Sequence, residues 1–329
     1  MSRRWLLPLT PLYAAGLAWR NRRIENGQEP VRRLRWPVVS IGNLSTGGAG
    51  KTPLTIALAK ALTERGLHVD VLSRGYGRKS KLPLRVDPNG SAETFGDEPL
   101  LIARETGLPV YVAPQRYDAG LLAEAGSESA DARVHLLDDG FQHRQLHRDV
   151  DILLLNRQDW EDALLPAGNL REPLAAIRRA TVLAVPAGEP ELEAALRRWG
   201  WQGLVWRLKR KMELPEVSGP VAAFCGIARP EQFFAGLEAA GLTLVERTAF
   251  PDHHRYATRD LEKLLASARA AGATALITTE KDLVRMEKIA SSVPVSLPLK
   301  TARLSIEIED EAIWWLAGRI ATSPTHPPL

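Results

Sequence analysis

The amino-acid sequence predicts an α/β fold in which a mostly parallel β-sheet is covered by helices on both faces. Along the first half of the chain, short apolar runs alternate with helical patterns, and the connections between them are short. The first apolar run is followed directly by a glycine-rich turn and then by a helical pattern. This order indicates that the sheet begins with a strand, a tight loop and a helix.

The individual elements can be placed from the same patterns. In the first half we predict strands near residues 38–42, 69–72, 109–113, 133–137 and 150–155, and helices near 51–65, 97–107 and 117–125. A second alternation predicts strands near 221–227, 243–248, 273–278 and 295–299, and helices near 230–240, 258–271 and 310–321. The charged stretch 204–216 interrupts this rhythm. We therefore predict an N-terminal helical segment (1–35), a core domain (36–203), a linker (204–218) and a smaller α/β domain (219–329).

Composition agrees with a folded two-domain protein. The chain has 329 residues, of which 45% are hydrophobic, so that it can bury a full core. The single cysteine, Cys225, excludes an internal disulfide, and its apolar neighbours favour a buried strand position over a nucleophile. The net charge is +4, and eight arginines precede the glycine-rich turn. No nucleic-acid recognition motif accompanies this basic patch, so we do not expect a nucleic-acid partner.

The N-terminal segment is apolar but short. Residues 5–19 form an apolar run of about 15 residues, less than the roughly 20 needed to span a bilayer. Arginines follow the run at once, which opposes export by a cleaved leader. We predict a helix over residues 11–23 that lies in a membrane interface, with Leu12, Tyr13, Leu17 and Trp19 as its apolar side chains. A helix packed on the protein's own core is the alternative.

The glycine-rich turn has the composition of a phosphate-binding loop. Its glycines allow backbone N–H groups to turn inward around an anion, and the following helix directs its positive end at the same place. Lys51 would reach the β- and γ-phosphates of a nucleotide, and the Thr52 hydroxyl would bind Mg²⁺. The predicted nucleotide-binding residues are Ser45, Thr46, Gly47, Gly48, Ala49, Gly50, Lys51 and Thr52.

One position departs from the standard pattern of this loop. Ser45 stands where the pattern has glycine. From residue 46 onward, the loop resembles that of the partition and positioning ATPases, with Thr46 in place of their signature lysine. A glycine-rich turn without a ligand remains the structural alternative.

Two adjacent carboxylates end a predicted strand. Asp138 and Asp139 follow an apolar run, and an acid at a strand tip beside a phosphate loop can hold Mg²⁺ directly or through water. An acidic turn with no ligand is the alternative. Together with Thr52, these two residues are the predicted metal ligands.

Three further clusters are ambiguous from spacing alone. Asp97 and Glu98 open a predicted helix, where acids are usually caps that complement the helix dipole. His253 and His254 lie in a loop of the second domain, where histidines are usually inert surface residues. Two arginines among the glycines of residues 73–78 suit anion binding.

Taken together in this order, the motifs resemble those of one family, tetraacyldisaccharide 4′-kinase, the lipid A kinase of Gram-negative bacteria. The matching segments are residues 42–52, 73–77, 96–99, 137–143, 165–173, 250–253 and 278–282. The resemblance runs from the N-terminal helix to about residue 300. It implies a P-loop NTPase-like core and transfer of the ATP γ-phosphate to the 4′-hydroxyl of a tetraacyldisaccharide 1-phosphate.

The resemblance also implies residue roles and a location. Asp97 with His253, or with the neighbouring His254, looks like the dyad that activates the hydroxyl. Lys51, Asp138 and Asp139 would be the other catalytic groups. The implied substrate site comprises Arg74, Tyr76, Glu98, Arg171 and Glu172. We expect ATP and Mg²⁺ as cofactors and a monomer attached peripherally to the cytoplasmic face of the inner membrane. A membrane-associated positioning ATPase is the alternative function.

Overall fold

The structure, a computed structural model, describes residues 4–48, 50–126, 132–290 and 297–324. Short 3₁₀ segments lie at Arg4–Leu9 and Leu174–Arg179. The α-helices are α1 Thr10–Glu25, α2 Lys51–Glu64, α3 Ala92–Phe95, α4 Asp97–Thr106, α5 Arg116–Ala125, α6 Arg157–Glu161, α7 Pro190–Arg198, α8 Pro230–Ala239, α9 Thr258–Ala270, α10 Glu280–Ala290 and α11 Asp310–Ala321. The strands are β1 Val38–Asn43, β2 His68–Ser73, β3 Leu84–Arg85, β4 Val110–Val112, β5 Arg133–Asp138, β6 Val150–Leu154, β7 Val182–Pro186, β8 Leu204–Glu213, β9 Val221–Cys225, β10 Leu244–Ala249, β11 Ala275–Thr279 and β12 Leu299–Glu307.

All of these strands belong to one twelve-stranded sheet in the order β10-β9-β11-β12-β8-β7-β6-β1-β5-β2-β4-β3. Neighbouring strands are parallel except for the pairs β12/β8 and β3/β4. The β12/β8 pair therefore joins two parallel halves that run in opposite directions. In the first half, β1 lies between β5 and β6, so that the loop after β1 and the carboxylates after β5 leave the same edge of the sheet.

Helices cover both faces of the sheet, as the sequence predicts. In the first half, α2 and α4 pack on one face through residues such as Leu58 and Leu100, and α5 and α7 pack on the other. In the second half, α9 and α10 cover one face and α8 covers the opposite face. The mixed α/β fold with a large, mostly parallel sheet is therefore confirmed.

The predicted linker needs correction. Residues 204–213 form β8, a strand that pairs with β7 on one side and β12 on the other. Four of its charged residues occupy the exposed face, namely Arg207, Lys209, Lys211 and Glu213, while Trp206 and Leu208 on the alternate face are buried. The charged residues that interrupt the alternation of apolar runs and helices therefore lie on the solvent-exposed face of β8, a strand between the two halves of the sheet.

The last helix also differs from the predicted domain assignment. Ile313, Leu316 and Ile320 of α11 are buried in the same apolar cluster as Leu54 and Leu58 of α2. The chain therefore returns to the first half of the molecule after β12. We retain two lobes as a proposal, with α11 attached to the first lobe rather than the second.

The N-terminal helix α1 has one face against the protein and one flank in solvent. Tyr13 and Ile24 lie toward the protein, whereas Leu12 and Trp19 are 72% and 63% exposed. Within the part of the chain that the structure describes, no helix has both the length and the apolar character needed to cross a bilayer.

Candidate active site

The loop between β1 and α2 contains two glycines in the left-handed backbone region. Gly47 and Gly50 have φ values of +92° and +91°, a region that residues with a Cβ atom rarely adopt. Gly50 is also the residue that precedes the first turn of α2. A Cβ atom on Gly47 would lie 2.5 Å from the Cβ atom of Ala228, so the second half of the chain lies directly against this loop.

Ser45 and Thr46, the first two residues of the predicted phosphate-binding loop, form hydrogen bonds within the protein. Ser45 is fully buried and accepts a hydrogen bond from the Asn43 side-chain amide at 3.0 Å. The Thr46 backbone N–H donates to the Asn169 carbonyl at 2.8 Å. These contacts hold the start of the loop against residues 169–170, and Gly47 is the first residue with a backbone suited to an anion. Ala49 lies outside the described residues.

Lys51, the first residue of α2, lies among the polar groups at the end of β1. Its Nζ atom donates to Asn43 Oδ1 at 2.9 Å and is 3.6 Å from Asp139 Oδ1. Arg171 binds both oxygens of Asp139, with Nη1–Oδ2 and Nη2–Oδ1 distances of 3.1 and 2.8 Å. Burial would raise the pKa of Asp139, but Lys51 and Arg171 outweigh it and hold this pKa well below its usual range.

Asp138, the last residue of β5, has surroundings that raise the pKa of its carboxyl group, in contrast to those of Asp139. It is almost fully buried and accepts hydrogen bonds from Thr55 Oγ1 at 3.1 Å and Ser73 Oγ at 3.5 Å. Burial, Glu98 and Asp139 raise its pKa to about 7, although Lys51 acts in the other direction. A divalent cation would stabilise the ionised form of such a carboxylate, so the donor set of Thr52, Asp138 and Asp139 fits Mg²⁺. The described residues hold no cluster of three or more His, Cys, Asp and Glu side chains suited to a metal.

The predicted pair Asp97 and His253 is brought together from the two halves of the chain. His253 Nδ1 lies 3.2 Å from Asp97 Oδ2, although 156 residues separate them in sequence. The other oxygen, Asp97 Oδ1, accepts the backbone N–H of Glu98 at 3.0 Å. Burial would raise the pKa of Asp97, but the hydrogen bond from His253 and the charges of Lys281 and Arg285 hold it well below its usual range.

His253 and His254 have different surroundings. His254 Nε2 lies 3.1 Å from Asp260 Oδ2, and its ring stacks on Phe250 at a centroid distance of 4.6 Å. It is therefore held within the second half. Of the two histidines, His253 is the one in contact with Asp97.

Strained backbone also marks this region. Asp139 and His253 have φ values of +49° and +58°, and they are the described residues other than glycine with positive φ. The left-handed region is costly for such residues and persists where the surrounding contacts impose it. Both residues were assigned to the active site from their sequence motifs.

The predicted substrate residues divide into two groups. Arg74 and Tyr76 are exposed at the end of β2, and the Tyr76 ring lies 5.2 Å from the His253 ring. The other three side chains are engaged within the protein. Arg171 binds Asp139, Glu98 accepts from Lys281 Nζ at 2.7 Å, and the buried Glu172 accepts from Arg179 at 2.9 Å.

Sequence reasoning missed several residues of the site. Asn43 accepts from both Lys51 and Arg171, and its position as the last residue before the loop is the signal that could have identified it. Arg116 is buried and donates to the Asp139 carbonyl oxygen at 3.4 Å. Lys281 and Arg285 reach Glu98 and Asp97 from α10, a helix that the pattern did not predict.

Comparison with known proteins decides the family. The family model LpxK, tetraacyldisaccharide-1-P 4′-kinase, matches residues 2–321. The chain belongs to the tetraacyldisaccharide-1-P 4′-kinase family. This confirms the resemblance carried by the sequence motifs.

Named relatives and a solved structure agree with this assignment. A tetraacyldisaccharide 4′-kinase of Koribacter versatilis is 43% identical over 313 residues, covering 92% of this chain and 94% of that protein. The enzyme of the same name from Chromobacterium violaceum is 36% identical and covers 96% and 94%. The crystal structure of LpxK from Aquifex aeolicus in complex with ATP has a TM-score of 0.75 and 34% identity, covering 97% of this chain and 98% of that one. The positioning-ATPase alternative is not favoured.

Proposed function

We propose that this chain transfers the γ-phosphoryl group of ATP to the 4′-hydroxyl of a tetraacyldisaccharide 1-phosphate, a lipid A precursor. The observation that supports the proposal is the contact between His253 and Asp97, which joins a candidate acid–base pair from the two halves of the chain. A sugar hydroxyl is a poor nucleophile until a positioned base accepts its proton. Membership of the family supplies the identity of the acceptor.

The loop after β1 supplies the phosphate site in this proposal. The backbone of Gly47, Gly48 and Gly50 and the N-terminus of α2 would hold the phosphates of ATP. Lys51 would offset the charge that develops on the phosphoryl group during transfer. Thr52, Asp138 and Asp139 would hold Mg²⁺, which when bound neutralises phosphate charge.

The acceptor side depends on the ionisation of Asp97. Because the pKa of Asp97 is held low, the carboxylate is an orienting partner rather than the proton acceptor. An ionised Asp97 can only accept a hydrogen bond from His253. The neutral imidazole therefore carries its proton on Nδ1, and its Nε2 lone pair is free. The sugar O–H bond breaks as its proton passes to Nε2, the sugar oxygen forms a bond to the γ-phosphorus, and ADP leaves. A positioned base of this kind typically contributes about 10²–10⁴-fold in rate.

The remaining predicted substrate residues receive different roles. Arg74 and Tyr76, exposed at the end of β2 close to His253, are proposed to contact the disaccharide phosphate and sugar. Arg171 is proposed to orient Asp139, since both of its terminal nitrogens already donate there. Glu98 and Glu172 would shape the site through Lys281 and Arg179.

The N-terminal helix is proposed to attach a monomer to the cytoplasmic face of the inner membrane. The solvent side of α1 and of the 3₁₀ segment before it carries large apolar residues that are 47–80% exposed: Trp5, Leu7, Leu9, Leu12 and Trp19. Arg20 and Tyr13 on the opposite side bind the Gln142 and Arg171 carbonyls, so attachment would bring the site to the lipid surface. Half-buried apolar residues contribute roughly 1 kcal/mol each, which supports interfacial binding.

The function is tested by incubating the purified chain in mixed micelles with ATP, Mg²⁺ and tetraacyldisaccharide 1-phosphate. The expected product is the 1,4′-bisphosphate, identified by a mass increase of one phosphate and by ³¹P NMR coupling at the 4′ position. ATP hydrolysis without a lipid product would contradict the proposal. Nucleotide-dependent dimerisation on gel filtration would point to the positioning ATPases instead.

A further inference from the structure

Helix α10 brings two cations to the acidic start of α4. Lys281 Nζ lies 2.7 Å from Glu98 Oε1 and 3.9 Å from Asp97 Oδ2. Arg285, one turn further along α10, donates from Nε to Asp97 Oδ2 at 2.7 Å and also binds this oxygen through Nη2. The Arg285 side chain is only 8% exposed. The same carboxylate oxygen is therefore contacted by His253 and Arg285, both from the second half of the chain.

The Arg285 side chain is held in place by further hydrogen bonds within the second half of the chain. Its Nη1 atom donates to the Gly226 carbonyl at 2.7 Å and to Asp282 Oδ1 at 3.0 Å. Asp282 is fully buried and also accepts from the Gly226 N–H and from the hydroxyls of Tyr256 and Thr279. The Gly226 carbonyl also accepts the His253 backbone N–H at 3.2 Å. Both partners of Asp97, His253 and Arg285, are therefore hydrogen-bonded to the same carbonyl group.

We propose that Arg285 is a positioning residue of the transfer reaction, which keeps Asp97 ionised and thereby fixes His253 in the form with a free Nε2 lone pair. A neutral Asp97 would keep its proton and donate a hydrogen bond to Nδ1, and the neutral imidazole would then carry its single proton on Nε2. Nε2 could not accept the proton of the sugar hydroxyl in that form. Arg285 would thus act through Asp97 without touching substrate. The assignment rests on the proposed kinase function.

The charges around the pair favour this role. Asp97 faces Lys281 and Arg285 from α10, His253 from the loop after β10, and Glu98 from its own helix. Asp252 Oδ2 lies 3.9 Å from His253 Nε2, and Arg285 Nη2 lies 3.2 Å from His253 Nδ1. Loss of the guanidinium charge would therefore raise the pKa of Asp97, because a nearby cation disfavours protonation of the carboxylate.

The test compares Arg285→Gln and Arg285→Lys with Arg104→Gln. Arg104 pairs with Glu287 at 2.9 Å at the other end of the α4–α10 contact, so its variant removes an ion pair between the same helices far from Asp97. The first measurement is the fraction of the neutral His253 imidazole that carries its proton on Nδ1, read from the ring ¹⁵N chemical shifts by NMR in the ligand-free protein. Arg285→Gln should lower this fraction. Arg285→Lys and Arg104→Gln should stay close to wild type.

The second measurement is the pH dependence of kcat/KM for lipid phosphorylation. The acidic limb should move to higher pH in Arg285→Gln, with the KM for ATP unchanged. Arg285→Lys keeps the charge but loses the two-point contact, so its limb should stay in place while kcat falls about tenfold.

Three results would overturn the proposal. One is an unchanged Nδ1-protonated fraction of His253 in Arg285→Gln, and another is the same decrease in Arg104→Gln. Should Arg285→Gln fail to fold, an Arg285→Lys enzyme as active as wild type would overturn it. The NMR measurement does not depend on turnover, so a failure of the kinase function would be recognised separately by a wild-type protein that is inactive although Arg285→Gln still changes the His253 tautomer.

Discussion

Lys51 is the residue whose removal is expected to reduce the rate most directly. It combines the last position of the loop with contacts to Asn43 and Asp139, at the place proposed for the transferred phosphoryl group. We expect Lys51→Ala to lower kcat by at least about 100-fold. Lys60→Ala is the matched control, since Lys60 lies on the same helix and pairs with Glu105 at 3.8 Å away from the loop. Activity of Lys51→Ala within a few-fold of this control would remove the phosphate-loop interpretation.

His143 gives a pH-dependent expectation. Burial and the arginines around it lower its pKa to about 3, well below the ordinary histidine value, so the folded protein holds the imidazole neutral. An unfolded histidine takes up a proton near pH 6.5, so this contribution to stability is present above that pH and is lost as the pH falls toward 3.

As the pH is lowered below 6.5, the free energy of unfolding of the wild type should therefore decrease relative to that of His143→Gln. The expected relative loss is about 1.4 kcal/mol per pH unit, or roughly 2 kcal/mol between pH 6.5 and pH 5. Urea denaturation at a series of pH values measures it. Parallel curves for the two proteins would show that His143 is protonated in the folded state.

What the sequence predicts about single residues depends on how local their environment is. Lys51 and Thr52 follow a strand and a glycine turn, so their surroundings are set by a few neighbouring residues. His253 was ambiguous because its partner lies 156 residues away, and spacing alone favoured an inert surface position. Glu172 was expected to face the substrate, whereas its burial and its contact with Arg179 depend on packing that no local pattern encodes.

At the scale of elements, the N-terminal helix is expected to bind membranes through its exposed flank. Leu12→Glu combined with Trp19→Glu changes two residues that are 72% and 63% exposed, so the fold should be retained. Binding to vesicles that contain anionic lipid should fall at least about tenfold, because the apolar contribution is lost and negative charge is added. The affinity for ATP should be unchanged.

Trp314 provides the control for this experiment. It is 64% exposed on α11, and Trp314→Glu should leave vesicle binding as it is in the wild type. Co-sedimentation separates the outcomes. Equal binding by the double variant and the wild type would place the membrane contact elsewhere on the surface.

Two elements illustrate why the sequence pattern was incomplete. The alternation of β8 was obscured because its exposed residues are mostly basic, so a strand resembled a charged linker. Helix α10 begins directly after β11 with no intervening turn, and no helix was predicted after the strand near residues 273–278. The basic residues of α10 were consequently missed as neighbours of Asp97.

At the scale of the whole molecule, the site depends on the pairing of β8 with β12. This antiparallel pair joins the two parallel halves of the sheet, and α11 then packs against α2 in the first half. Both contacts join segments about 90 or more residues apart, so periodicity alone could not predict them. They bring the loops of His253 and Ala228 against the residues of the first half.

The central claim is that Asp97 and His253, from opposite halves of the chain, act as one unit on the sugar hydroxyl. A double-mutant cycle on kcat for lipid phosphorylation tests it most directly, with Asp97→Asn, His253→Gln and their combination. His254→Gln, whose side chain binds Asp260, is the control and should remain close to wild type. Each single variant should lose roughly 10²–10⁴-fold, and the double variant should be little worse than the poorer single one. Losses that multiply would contradict the account, as would a severe defect in His254→Gln with none in His253→Gln.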